Sequence, residues 1–239
     1  MLLLWRVGYT NLDEDIGRET CSDFNCYENV ASKWIRLSNV AEKKNKIGVE
    51  PLGDKLISLV LTWNVEGFAP KKSVDVKGLF DPVLENRPNL IIVGLQEVFE
   101  CKAYNITKIV SNSNQTEEGK RWRDVLTATL ATVDPSYKLI TSEVNGAVMM
   151  LFYSNLKQED LKTFSTVRTN LGAMGGMIAN KSSVTLNLSV RNIKVQFVAC
   201  HLESGEGQKQ NAQRISQLQT IIPTVVDSHR FDAPKKSVH

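Results

Sequence analysis

The chain has 239 residues, 42% of them hydrophobic, and its 29 basic and 26 acidic residues give a formal net charge of +3. This length fits one ordinary domain with a sizeable core, and the nearly balanced charge disfavours binding to nucleic acid or membranes by bulk electrostatics. The N-terminus lacks a signal-peptide pattern, and no apolar run reaches the roughly 20 residues that a membrane helix needs. We therefore expect a cytoplasmic protein.

The first part of the chain, residues 1–54, differs in composition from the rest. It has an acidic run at 13–15, a weak helical pattern over 27–40 and a charged run at 42–46. These features are typical of an appendage or linker rather than of a domain core. The sequence predicts an N-terminal appendage of unknown role over 1–54 and a folded domain over 55–239.

Strand and helix patterns alternate from residue 55 onward. Continuous apolar runs of the length of strands buried on both faces lie at 57–63 and 90–94. Helical spacing is found at 76–84, 122–133 and 215–225, with Pro82 and Pro223 expected to disturb the first and the last of these helices. Antiparallel strand pairs are predicted for 137–141 with 147–153, turning at Asn145-Gly146, and for 183–190 with 194–200. The order predicts an α/β (α+β) domain with a mixed sheet.

Polar side chains follow three of the predicted strands at the point where each strand ends. Asn64 comes after the first strand, Glu97 after the second and His201 after the last. Strands fix the position of such residues while their ends leave the side chains free to bind. A carboxylate after an apolar run needs water or a cation as its partner, and Mg²⁺ prefers hard oxygen ligands. Taken singly, the three residues are also explained as a turn-capping amide, a strand-end acid and a satisfied polar side chain.

A glycine-rich loop over 171–181 precedes the predicted strand at 183–190. Backbone N–H groups of such a loop can surround a phosphate, and Arg168 and Lys181 at its two ends favour this interpretation. Glycine serves plain turns equally well, so the loop alone does not decide between the two.

The combination of motifs is more specific than any one of them. In chain order they are Thr-Trp-Asn-Val-Glu-Gly at 62–67, Leu-Gln-Glu-Val at 95–98, Ala-Asn-Lys at 179–181 and Cys-His-Leu-Glu-Ser-Gly at 200–205. This order resembles the endonuclease/exonuclease/phosphatase superfamily and, within it, the inositol polyphosphate 5-phosphatases, from about Ser58 to Arg214. The resemblance implies a two-sheet α/β sandwich, with two mixed sheets face to face and helices outside, represented here by about its first half.

The resemblance also implies roles for individual residues. Glu97 would bind Mg²⁺, with Asn64 beside it at the metal, and His201 would hydrogen-bond the phosphate that is hydrolysed. Asn180 and Lys181 would contact another phosphate of the inositol ring or its lipid diester. The implied reaction is Mg²⁺-dependent hydrolysis of the 5-phosphate of an inositol phosphate or phosphoinositide, with transient membrane contact on lipid substrates and no nucleic acid.

The chain departs from the family pattern in two respects. Ala179 and Ser182 stand where the family has glycines around Asn180-Lys181, and the family's Gly-Asp-x-Asn, Trp-Cys-Asp-Arg and Ser-Asp-His segments do not occur in the 239 residues. We therefore expect residues 55–239 to be a partial catalytic domain and the chain by itself to be inactive. The alternatives are a non-catalytic fragment or regulator and, disfavoured by the near-neutral charge, a nuclease of the same superfamily.

Overall fold

The computed structural model describes residues 5–9, 33–36, 56–68, 70, 76–99, 116–172, 181–190 and 193–226. A short 3₁₀ turn over Lys77–Phe80 leads into the first α-helix. The strands and α-helices of the described residues are, in chain order, β1 (Trp5–Tyr9), β2 (Lys33–Arg36), β3 (Ile57–Asn64), α1 (Asp81–Asn86), β4 (Leu90–Gln96), α2 (Glu117–Val133), β5 (Lys138–Asn145), β6 (Val148–Ser154), β7 (Leu161–Asn170), β8 (Ser182–Val190), β9 (Ile193–His201) and α3 (Gln208–Val226).

These strands form two sheets. The four-stranded sheet has the order β1-β9-β8-β7 and is antiparallel throughout, whereas the five-stranded sheet has the order β2-β3-β4-β6-β5 and is mixed. Only β3 and β4 run parallel within it. The predicted two-sheet α/β sandwich is confirmed.

Two apolar layers hold the sandwich together. Alternate residues of β4 point to opposite faces of the five-stranded sheet, and both sets are buried, which explains why its sequence is apolar throughout. One set packs against the four-stranded sheet, and the residues of this layer include Ile92, Val148, Phe152, Leu186, Val195 and Phe197. The other set packs against the helices and includes Ile91, Val93, Leu95, Trp122, Leu126 and Leu130.

Helix α2 covers the outer face of the five-stranded sheet. Its N-cap, Thr116, accepts a hydrogen bond from Gly119 N at 3.2 Å, and Glu117 in the first turn complements the helix dipole. The fully buried Trp122 meets Trp63 edge to face, with ring centroids 5.3 Å apart, and donates from Nε1 to Phe68 O at 3.1 Å. This tryptophan therefore ties α2 to the loop that follows β3.

Several local predictions are confirmed and others are wrong. The helix after β3 is not disturbed by Pro82, because this proline lies in the first turn of α1, where its missing N–H costs nothing. The weak helical pattern over 27–40 is wrong for Lys33–Arg36, which pairs as an edge strand with β3. Strand β7 was not predicted, because its apolar residues do not alternate regularly, and it is stabilised by pairing with β8 along its length.

Two strands from within residues 1–54 extend the sheets: β1 pairs with β9, and β2 with β3. The division of the chain at residue 54 stays a prediction.

Helix α3 packs against the four-stranded sheet through a narrow strip of its surface. Ile221 is buried against Val198 and Cys200, but Ile215 and Ile222 are 57% and 45% exposed, so the predicted apolar face is only partly covered. The helix also continues past Pro223 to Val226, where a disturbance was expected. Among the described helices, none has the length and hydropathy to cross a membrane.

We predict that Trp122→Ala lowers the free energy of unfolding by about 3–5 kcal/mol, because it removes a fully buried ring and leaves a cavity under α2. Denaturant unfolding followed by circular dichroism measures the change. Ile215→Ala, at an exposed position of α3, is the control and should change stability by no more than about 0.5 kcal/mol. Equal effects of the two substitutions would contradict the assignment of Trp122 to the core.

Candidate active site

The parallel pairing of β3 with β4 brings two of the predicted site residues to one edge. Asn64 stands opposite Gln96 in the register, and the ladder continues beyond the strands through Val65 N to Gln96 O at 2.9 Å and Gly67 N to Glu97 O at 2.7 Å. Carboxyl ends of parallel strands meet at the same edge of a sheet, so the side chains that follow them become neighbours.

Glu97 adopts a backbone conformation that is rare for a residue with a side chain. Its φ is +53°, in the left-handed region, where a non-glycine residue pays roughly 1–2 kcal/mol. The hydrogen bonds on either side of it, from Gly67 N to Glu97 O and from Val98 N to Ala147 O at 3.1 Å, hold this conformation. The chain therefore turns sharply at Glu97, and backbone strain of this kind is characteristic of functional sites.

Asn64 orients the Glu97 carboxylate. Its Nδ2 donates to Glu97 Oε1 at 3.1 Å, while its Oδ1 accepts from Glu66 N at 3.0 Å in a turn closed by the side chain. The turn fixes the amide, and the amide in turn fixes one carboxylate oxygen.

The four-stranded sheet supplies the other two described site residues. His201 ends β9 and pairs with Ser182 at the start of β8, so it lies beside Lys181, the residue that precedes Ser182. Leu171 N donates to Lys181 O at 2.8 Å and closes the base of the glycine-rich loop. Lys181 is 8% exposed, and its Nζ lies 2.9 Å from His201 Nε2.

A contact between the sheets unites these groups. His201 Nε2 lies 3.5 Å from Glu97 Oε1, the oxygen to which Asn64 donates. The structure thus brings together Asn64, Glu97, Lys181 and His201. Asn180, the fifth predicted site residue, lies outside the described residues.

His201 is neutral at pH 7. Burial lowers the pKa of its imidazole to about 4, the Lys181 ammonium acts in the same direction, and the Glu97 carboxylate opposes them. An ammonium group can only donate, so Nε2 accepts the Lys181 hydrogen bond and Nδ1 carries the proton. Because the folded-state pKa lies below the ordinary 6.5, the unfolded chain takes up a proton first. The contribution of neutral His201 to stability is complete above about pH 6.5 and is lost as the pH falls toward 4.

The donor set fits a divalent cation held by few protein ligands. Within the described residues there is no cluster of three or more His, Cys, Asp or Glu side chains. The Glu97 side chain is 36% exposed and offers a hard carboxylate oxygen at the sheet edge. Mg²⁺ is commonly bound through one or two carboxylates, with waters and substrate phosphates completing its shell. Glu97 would hold such an ion. Because the Asn64 side-chain nitrogen faces the carboxylate, Asn64 is better suited to orienting Glu97 than to binding the metal itself. The prediction that Asn64 is a metal ligand stays a prediction.

Side chains of α3 hold the loops that flank the site. Arg214 Nη1 donates to Glu203 O at 3.1 Å and to Gly205 O at 2.8 Å, just after His201. Gln217 Oε1 accepts from Glu203 N at 2.8 Å, and its Nε2 donates to Leu171 O at 3.3 Å. The helix therefore joins the end of β9 to the start of the glycine-rich loop.

Sequence reasoning gave no site role to Asn145 or Ser182, both of which are buried directly behind Lys181 and His201. The Asn145-Gly146 dipeptide is already explained by the hairpin turn. Ser182 was noted only because it stands where the family has a glycine. Neither carried a sequence signal for contact between two sheets.

Comparison with known proteins gives the family context of this geometry. The model of Endonuclease/Exonuclease/phosphatase family 2 matches residues 61–237. The chain is 26% identical over 199 residues to the polyphosphatidylinositol phosphatase INP53 of Saccharomyces cerevisiae, covering 80% of this chain and 17% of that protein. It is 22% identical over 229 residues to the type IV inositol polyphosphate 5-phosphatase 9 of Arabidopsis thaliana, covering 87% of this chain and 54% of the relative.

A solved structure shares the fold. The inositol polyphosphate 5-phosphatase domain of a synaptojanin, solved with inositol (1,4)-bisphosphate and a calcium ion, matches with a TM-score of 0.52 at 14% identity, over 79% of this chain and 46% of that one. The chain thus spans about half of this domain, and from 17% to 54% of the two relatives above.

We predict that Lys181→Met raises the pKa of His201 and that Glu97→Gln lowers it further, because the first change removes a neighbouring cation and the second an anion. Titration of the His201 ring protons by NMR measures both shifts. Lys120→Met, on the exposed side of α2, is the control and should leave the titration unchanged. A shift of the same sign in both site variants would contradict the described contacts.

Proposed function

We propose that this chain, which belongs to Endonuclease/Exonuclease/phosphatase family 2, carries the metal-holding and phosphate-holding part of a Mg²⁺-dependent inositol polyphosphate 5-phosphatase site. The observation that carries the proposal is the meeting of Glu97 with His201 and Lys181 across the two sheets. This supports the proposal because a carboxylate that could hold a divalent cation then lies near a largely buried ammonium that could hold a phosphate.

The substrate class is supported by the relatives, whose names describe phosphatases of inositol polyphosphates and polyphosphatidylinositols. We therefore assign inositol phosphates or phosphoinositides as substrates, with the 5-phosphate as the group removed. A lipid substrate would require the site edge to approach a membrane surface transiently.

Each side chain has a distinct task in this proposal. Glu97 would hold Mg²⁺, and Asn64 keeps the carboxylate in one orientation through its 3.1 Å hydrogen bond. Lys181 would pair with a phosphate oxygen, a charge-assisted hydrogen bond in a partly dry site. When bound, Mg²⁺ supplies positive charge that stabilises the phosphoryl oxygens. Neutral His201 would share the phosphate with Lys181 by donating from Nδ1–H, because its Nε2 accepts from Lys181.

Activation of the attacking water is the step for which the described residues offer no dedicated group. His201 Nε2 is occupied by Lys181, and Glu97 is assigned to the metal. General acid or base catalysis is typically worth about 10²–10⁴-fold. We therefore propose that the 239-residue chain by itself binds the substrate without useful turnover. The second candidate function, a non-catalytic fragment or regulator, would show the same behaviour. The two candidates differ in whether a longer protein with this sequence hydrolyses the substrate.

We predict that the purified chain binds inositol 1,4,5-trisphosphate in a Mg²⁺-dependent manner and that Glu97→Gln abolishes this dependence, because the substitution removes the carboxylate charge. Asn64→Ala should weaken the apparent Mg²⁺ affinity about 10–100-fold, as expected for a residue that orients a ligand. Isothermal titration calorimetry measures both effects, and Glu117→Gln, with a 72% exposed side chain on α2, is the matched control.

Release of phosphate by the chain should equal that of its Glu97→Gln variant. Mg²⁺-dependent release well above that level would show that the chain is a complete catalyst. Binding that is insensitive to both Mg²⁺ and Glu97→Gln would reject the proposed metal site.

We predict that Lys181→Ala weakens binding of inorganic phosphate in the presence of Mg²⁺ about 10–100-fold, since a hydrogen bond to a charged group contributes roughly 1.5–3 kcal/mol. We assign both residues to one phosphate because Lys181 Nζ lies 2.9 Å from His201 Nε2. The sequence instead suggested a second phosphate for Lys181. In that case inorganic phosphate would bind the variant normally, and only inositol 1,4,5-trisphosphate would lose affinity. Lys120→Ala serves as the control.

A further inference from the structure

The site is assembled from two halves that belong to different sheets. Asn64 and Glu97 follow strands of the five-stranded sheet, whereas Lys181 and His201 flank strands of the four-stranded sheet. Among the strands that the structure describes, none belongs to both sheets. The separation of Glu97 from His201 therefore depends on how closely the sheets pack at this edge.

One contact allows a close approach. Gly94 of β4 lies three residues before Glu97, and Ala199 of β9 lies two residues before His201. A Cβ atom built on Gly94 would lie 3.0 Å from Ala199 Cβ, which is closer than nine in ten real contacts of Cβ atoms. The missing side chain of Gly94 therefore brings the backbones together just behind the site.

A second contact links the sheets by hydrogen bonds. Asn145, at the end of β5 in the five-stranded sheet, is 1% exposed, and its Nδ2 donates to Thr169 O and to Ser183 O, both at 3.1 Å, in the four-stranded sheet. In return, Ser182 Oγ donates to Asn145 O at 2.6 Å. Ser182 is the neighbour of Lys181 in sequence and the partner of His201 in the ladder.

An ion pair supports the same linkage. Two residues before Asn145, Glu143 Oε2 accepts a hydrogen bond from Arg168 Nη2 of β7 at 2.5 Å, and both side chains are largely shielded from solvent. The β5 end of one sheet is therefore held to the β7 and β8 ends of the other by four side chains, those of Asn145, Ser182, Glu143 and Arg168.

The geometry points to Gly94 and Asn145 as positioning residues that set the distance between the two halves of the site. Neither needs to touch substrate, because each acts through the backbone that carries Glu97, Lys181 or His201. The catalytic meaning of this inference rests on the proposed function. The distance itself does not, and it can be measured without metal or substrate.

Chemical cross-linking of Glu97 to Lys181 measures that distance. Both Glu97 Oε1 and Lys181 Nζ lie within 3.5 Å of His201 Nε2. A water-soluble carbodiimide converts the exposed carboxylate to an O-acylisourea, and the lysine amine then displaces the urea to form an amide bond. The reagent needs to reach only Glu97. Peptide mass spectrometry quantifies the product, normalised to the Glu117–Lys120 cross-link within α2, where the ion pair is 3.3 Å long.

Two substitutions and one rescue test the inference. In Gly94→Ala the new Cβ would lie 3.0 Å from Ala199 Cβ, so β9 has to give way by a few tenths of an ångström, and adding Ala199→Gly removes the opposing Cβ and restores the space. Asn145→Ala removes both hydrogen bonds from Nδ2. The matched control is Asn187→Ala, because Asn187 is also 1% exposed but bonds to Ser165 and Gln196 within the four-stranded sheet.

We expect the unmodified protein and Asn187→Ala to give the Glu97–Lys181 product, and Gly94→Ala and Asn145→Ala to give about three-fold less, because the displacement at Ala199 is a few tenths of an ångström and a full 1 Å would cost about 10²-fold. The double variant should recover most of the yield. All variants are compared at a temperature where near-ultraviolet circular dichroism shows them folded. If Asn145→Ala does not fold, the inference is tested by comparing Gly94→Ala with the Gly94→Ala/Ala199→Gly double variant.

Equal yields in Gly94→Ala and the unmodified protein, failure of Ala199→Gly to restore a lowered yield, or an equal drop in Asn187→Ala would overturn the inference. Absence of the product from the unmodified protein would overturn it as well. Failure of the proposed function would appear separately, as loss of Mg²⁺-dependent binding in a protein that cross-links normally.

Discussion

Close packing of two separate sheets at one edge is the constraint on which the site depends. The carboxylate of Glu97 and the imidazole of His201 come within 3.5 Å, and a few residues behind them Gly94 leaves room for Ala199, the contact to which we attribute this close approach. Protein interiors are packed densely enough that one methyl group in such a place is felt by its neighbours. The same core that stabilises the fold therefore also sets the geometry of the proposed chemistry.

The charge pattern of the site follows from this burial. Burial of His201 lowers its pKa and the Lys181 ammonium against it acts in the same direction, so the imidazole is kept neutral and acts as an acceptor. The carboxylate of Glu97, on the more exposed side, balances the ammonium charge. In the proposed function, this arrangement sets a group that would hold a cation beside a group that would hold a phosphate.

Much of the fold could be predicted from local pattern, and the errors have physical causes. The apolar runs of β3 and β4, the Asn145-Gly146 hairpin and helix α2 follow from periodicity and turn chemistry, which act within a few residues. Strand β7 and the edge strand β2 depend on pairing with distant strands, and their sequences carry weak signals alone. Which side of α3 is exposed likewise depends on how the helix packs against the four-stranded sheet.

Motifs at strand ends are local, so Asn64, Glu97, Lys181 and His201 and their order could be identified from the sequence. The packing of the two sheets is needed to show that Lys181 and His201 share one centre with Glu97, and that Asn145 and Ser182 bond across the sheets behind them. Distances between residues on different sheets depend on side-chain volume and hydrogen bonds summed over the whole interface. No short segment of sequence encodes that sum.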